Sequence, residues 1–165
     1  MPNYANNTIM QGSDLMLFVN DHAIAFATNH TVNITSSGSG SSDVSNKDTG
    51  AGGWASTAVT QLEYTISTEN LYSISAYDSL FDIMTAKQPI AVKFGLKLAS
   101  QATAEGNAPE KGWTVDTTVT YYTGTVVMTS LNLTATNGES AQFTAEFASV
   151  GALVKVDSNS LNPNP

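Results

Sequence analysis

Few groups in this chain could carry chemistry. His22 and His30 are its only histidines and cysteine is absent, so a Ser-His-Asp relay or a histidine-bound metal would have to use one of the two. Neither stands in a nucleophile elbow or a zinc-binding helix pattern, and histidines at turns and strand ends are mostly structural. Glu63 and Glu146 could act as a carboxylate pair only if the fold brought them close together. Gly50-Ala51-Gly52-Gly53-Trp54-Ala55 spells G-x-G-x-x-A, but no strand directly precedes it and no helix pattern follows, so the geometry that cradles a phosphate is missing. Asn46-Lys47-Asp48-Thr49-Gly50 begins like a calcium loop. A lysine stands among the would-be ligands, and no glutamate closes the coordination sphere. These residues point away from an enzyme, and no cofactor or metal is expected.

Charge narrows the partners. The chain has 165 residues, a net charge of −8, six lysines and no arginine. Gripping nucleic acid takes clustered cations for the phosphates and usually bidentate arginines for the bases, so specific DNA or RNA binding is excluded. No apolar run is long enough to span a bilayer, and no membrane partner is expected. The first twelve residues are polar and rich in asparagine, unlike a secretion signal, so the chain is expected to begin in the cytosol. The Asn-x-Thr triplets at Asn6, Asn29, Asn33 and Asn132 then read as by-products of Asn/Thr-rich strands rather than glycosylation acceptors.

The elements that must position these residues are mostly strands. Thr, Ser, Asn and Gly are plentiful and charged residues make up only 12%, which favours strands and turns. Two alternating segments organise the chain: residues 31–35, with Val32 and Ile34 expected inward, and residues 58–67. Thr31, Asn33, Thr35, Gln61, Glu63, Thr65 and Ser67 form the polar face of that pair. Residues 36–56 read as a long Gly/Ser/Asp loop, flexible at its start, and a loop of this length is usually functional or disordered. The run at 14–20 looks buried on both faces, and residues 23–27 return from it as a short strand. Residues 71–75 are a further strand candidate. One helix is expected over residues 78–88, capped by Ser79, with Leu80, Ile83 and Met84 on one stripe and Pro89 as its stop. Residues 90–98 alternate with Lys93 and Lys97 on the solvent side. Residues 119–135 and 140–156 supply the last strands around a turn at 136–139. The division is an arm at 1–13, one domain at 14–156 and a disordered tail at 157–165. The fold class is all-β: a β-sandwich or partial barrel with one short flanking helix and a long inter-strand loop.

Two functional readings follow. Trp54, Trp113, Tyr121 and Tyr122 could line the face of a carbohydrate-binding β-sandwich module of a surface or adhesin-like protein, although such rings are more often core and loop anchors. The other reading comes from the order of elements. The strand Gly12-Ser13-Asp14-Leu15-Met16-Leu17-Phe18-Val19 leads through a hairpin to Thr31-Val32-Asn33-Ile34-Thr35. A long loop follows with Lys47-Asp48 and Gly53-Trp54, then Tyr64-Thr65-Ile66-Ser67 and the helix Tyr77-Asp78-Ser79-Leu80-Phe81-Asp82-Ile83-Met84. The domain closes with Phe143-Thr144-Ala145-Glu146-Phe147-Ala148-Ser149-Val150-Gly151-Ala152-Leu153. Over most of residues 12–154 this resembles the major tail tube proteins of tailed bacteriophages.

The resemblance implies a β-sandwich with one flanking helix that forms hexameric rings, which stack into a tube conducting DNA without binding it specifically. It assigns Lys47, Asp48, Gly53 and Trp54 to contacts with a neighbouring ring, and it turns the seven-residue polar face toward the channel. It further implies tape measure, tail terminator and baseplate or tip proteins as partners. The location would be the tail of a virion assembled in the bacterial host cytoplasm.

Overall fold

The computed structural model describes residues 10–24, 26–41, 56–104 and 112–157. The order is β1 (Leu15–Val19), β2 (His22–Ala23), β3 (Ala27–Ser41), β4 (Ser56–Leu71), α1 (Ile74–Ala86), β5 (Ile90–Leu96), β6 (Tyr121–Thr134), β7 (Gln142–Ser149) and β8 (Val154–Val156). All strands join one antiparallel sheet in the order β2-β1-β5-β6-β7-β4-β3, with β8 on β6. The sheet is open and folds over itself. Leu17 and Val19 of β1, near one end of the path, share a core with Tyr64 and Ile66 of β4, near the other. Phe143, Ala145 and Phe147 of β7, Val126 of β6, Val92 of β5 and Leu80 of α1 complete that core. This is the expected all-β sandwich, with one α-helix among the described residues.

Local chemistry sets the elements. Val19 pairs with His22 across Asn20 and Asp21, whose φ values of 49° and 67° are the left-handed pair that a two-residue primed hairpin turn requires. The return strand stops at Ala23, short of the expected 23–27, and Phe26 is left-handed and exposed. The run in β1 is buried on both faces as expected: Phe18, which alternation turns away from Leu17, is as fully buried as Leu17. That second side carries the segment at 113–116, where Val115 bridges Lys97, the Trp113 carbonyl accepts from the Ala23 amide, and Lys97 Nζ sits 4.9 Å from the Trp113 ring centre.

The helix begins four residues before the expected 78. Leu71 ends β4 and Ser73 is the N-cap, so residues 71–75 are no strand; Ser79 does not cap but donates its hydroxyl to the Ser75 carbonyl at 2.8 Å inside the helix. Ala76, Tyr77, Leu80 and Ile83 face the core, Lys87 ends the helix with φ 53°, and Pro89 follows. The turn at 136–139 is closed by the Glu139 amide donating to the Thr136 carbonyl at 3.1 Å, with Gly138 at φ 88°. The expected strand at 140–156 is two strands in tandem, β7 and β8, which follow one another along the same edge of β6 and are split at Gly151 (φ 88°).

Candidate functional site

Among the described residues the longest pairing is β3 on β4, and it takes up residues 36–41 and 56, a third of the expected loop. Ser36 pairs with Leu62, Ser37 with Gln61, and, past a bulge, Gly38 with Val59 through to Ser41 with Ser56. Residues 36–41 are therefore strand. Backbone hydrogen bonds hold the ladder, so serine and glycine suffice where a partner strand is present. β7 reaches β4 only as far as Thr65. Beyond it β3 and β4 continue as a two-stranded ribbon. Here the inward assignment of Ile34 fails: Val32 packs against the core, but Ile34 is 59% exposed and Leu62, next but one to Tyr64, is 68% exposed. They point the same way as the core residues, past the end of the core.

The opposite face of the pair is uniform. Thr31 lies opposite Ser67, Asn33 opposite Thr65, Thr35 opposite Glu63, and Gln61 opposite Ser37. All seven polar-face residues thus stand in two facing rows, exposed, with the Thr35 hydroxyl donating to Glu63 Oε1 at 3.3 Å. The face is wider than alternation in the pair alone could show. β7 adds Glu146 opposite Ser67 and Thr144 opposite Glu69; β6 adds Ser130 opposite Glu146 and Asn132 opposite Thr144. Four adjacent strands therefore present Ser, Thr, Asn and Gln with three glutamates, Glu63, Glu69 and Glu146. None of β3, β4, β6 and β7 contains a lysine. The lysines of the described residues lie elsewhere: Lys93 is paired with Asp21, Lys97 with Asp14 at 3.2 Å, Lys155 with Asp157 at 3.0 Å, and Lys87 ends the helix. The lysine side holds the Asp21 carboxyl below its usual range.

Glu63 and Glu146 are no catalytic pair. Glu146 sits opposite Ser67, four residues along β4 from Glu63, a separation of roughly 13 Å along the strand. Tyr121 and Tyr122 are consecutive in β6 and so point to opposite faces, while Trp113 stacks with Lys97; these rings do not assemble one sugar-binding platform. Among the described residues no group of three or more His, Cys, Asp or Glu could hold a metal ion, and no helix is long and apolar enough to cross a membrane. Lys47, Asp48, Gly53 and Trp54 lie outside the described residues, as do most of the N-terminal arm and C-terminal tail. Sequence reasoning missed Glu69 and Glu146 as members of the polar face. The signal was there in the alternation Gln142-Phe143-Thr144-Ala145-Glu146-Phe147, whose apolar members are buried.

By sequence the chain matches no protein-family model and no curated protein. By structure it is similar to several solved assemblies. A chain from the tail of an empty gene transfer agent particle, of C6 symmetry, superposes with a TM-score of 0.66 at 14% identity, over 90% of this chain and 99% of that one. The SPP1 tail tube gives 0.62 at 7% identity, over 93% and 84%. A chain of the sheath–tube complex of an extracellular contractile injection system gives 0.60 at 14% identity, over 93% and 95%. The chain has the tail tube fold.

Proposed function

We propose that this protein is the structural subunit of a phage-type tail tube, forming hexameric rings that stack around a DNA-conducting channel. One observation carries the reading beyond the fold: a four-stranded polar face with three glutamates and no lysine. Such a wall offers phosphates no cation with which to exchange counterions, so DNA slides past it without adhering. Thr31, Asn33, Thr35, Gln61, Glu63, Thr65 and Ser67 face the channel in this arrangement, together with Glu69 and Glu146.

The outer edge of β3, which is free among the described residues, and the apolar side of the projecting ribbon give the assembly its need. A two-stranded ribbon is marginal alone, and a long free edge invites another chain. Ring closure satisfies edges that a lone subunit exposes. Lys47, Asp48, Gly53 and Trp54, between the ribbon's two strands in sequence, are assigned to the neighbouring ring. Tape measure, terminator and baseplate or tip proteins complete the partner set, in a virion tail assembled in the bacterial host cytoplasm. Negative-stain microscopy of the concentrated protein, alone or with an initiating tail complex, tests the reading: hollow tubes or six-fold rings support it, and a monomer under every condition overturns it.

A further inference from the structure

The open sheet leaves a seam. Among the described residues β2 flanks β1 only at Phe18 and Val19, the first half of β1 has no strand on that side, and β3 at the other end of the sheet has a free edge. Between them lies a cavity of about 490 Å³, walled by Leu15 and Met16 of β1 and Phe94 of β5, with exposed Thr28 and Asn29 at its rim and His30 at its side. His30 pairs with buried Thr68, which puts its ring on the inner face of β3. Both ring nitrogens are out of solvent, and neither has a hydrogen-bond partner among the described residues.

Among the described residues no charge waits for a proton there. β1 and β5 offer the ring Leu15, Met16 and Phe94; β4 offers Thr68 and Asn70, which bond to each other. Asp14, just before β1, is bound to Lys97, and Glu69 lies on the far face of β4. An imidazolium in this position has no counter-ion among the described residues, and the adjoining cavity is its route to solvent.

We propose that His30 is an acid-triggered latch on this seam: protonation drives its ring from the inner face of β3 into the cavity, and the first residues of β3 fray from β4, the strand they pair with. Burial, which pulls the pKa from 6.5 to about 4, is the same imbalance seen from the proton's side. The latch stands on the cavity and the unpartnered ring, and it holds whether or not the chain forms tubes.

Proton NMR of the full-length, unassembled chain between pH 7.5 and 3.5 tests it, with the His30 ring signal assigned by its loss in His30→Phe. The expected midpoint lies near 4. Through the same transition, amide hydrogen exchange at residues 27–31, which pair with β4, should accelerate about tenfold or more relative to intrinsic rates, while Val126 and Phe147 stay protected. His30→Phe should abolish the acceleration. If that variant does not fold, His30→Gln, polar but non-titrating, serves in its place. A midpoint near 6.5, seam exchange that is the same with and without the histidine, or simultaneous loss of protection at Val126 and Phe147 each overturns the proposal.

Discussion

Tyr64 donates its phenolic hydroxyl to the Thr125 carbonyl at 2.8 Å, reaching from β4 across β7 to β6 beneath the point where the ribbon leaves the sheet. The ring is 2% exposed, and its path is open because residue 124 is glycine: a Cβ there would lie 2.2 Å from the hydroxyl oxygen and 3.0 Å from the ring carbon bearing it. Gly124→Ala must therefore displace a buried aromatic side chain. The expected loss is about 1–3 kcal/mol, with a comparable loss of about 1–2 kcal/mol for Tyr64→Phe. Because both changes break the same contact, urea unfolding of the double variant should show much less than the sum.

The core should respond in the ordinary way and the polar face should not. Phe147, 1% exposed at the centre of the shared core, is expected to cost about 3–5 kcal/mol on truncation to alanine. Thr65→Ser and Glu63→Gln, on the exposed face of β4, should stay within about 0.5 kcal/mol of the parent. Thermal or urea melts of the three variants decide the matter.

Stability should fall with acid in a window set by His30. Its folded pKa lies below its unfolded one, so the contribution is complete above about 6.5 and is lost as pH falls toward about 4. The loss by pH 4.5 is at most about 2–3 kcal/mol. Asp21 and Asp157, whose pKa values are lowered by Lys93 and Lys155, lose their contributions only at lower pH, in the carboxylate range. Urea midpoints at pH 7.5 and 4.5 should therefore diverge more for the parent than for His30→Phe.

The ribbon's apolar side separates folding from assembly. Ile34 and Leu62 are exposed and lie beyond the end of β7, so Ile34→Ser and Leu62→Ser should change stability by less than about 0.5 kcal/mol. Both should nevertheless reduce self-association strongly in sedimentation velocity. Normal tubes from the double variant would show that this surface is not buried in the assembly.

The pattern of the sequence carried some of these features and not others. Strict alternation made the opposition of Thr35 and Glu63 legible, because the period of two puts both on one face whatever the register slip of two. It could not reveal that Ile34 is exposed, since that depends on where β7 stops beside β4, a fact of tertiary pairing. Residues 36–41 contain no apolar side chain, so no hydrophobic period exists to mark them as strand; only the complementary strand at 56–62 does so. Leu71-Tyr72-Ser73-Ile74-Ser75 has the alternation of a short strand, but the chain turns helical at Ile74 and packs the stripe Tyr77, Leu80, Ile83 on the core. The polar face was half legible: its β3 row and its β4 row as far as Ser67 from alternation, its β7 and β6 rows only once the sheet order was known.

The central claim, that the lysine-free face is the wall of a channel, is tested most directly by a cryo-EM map of the assembled protein. The account predicts stacked six-fold rings in which Glu63, Glu69 and Glu146 of every subunit face the lumen. Tubes with those glutamates on the outer surface, or no assembly with or without tail partners, would contradict it.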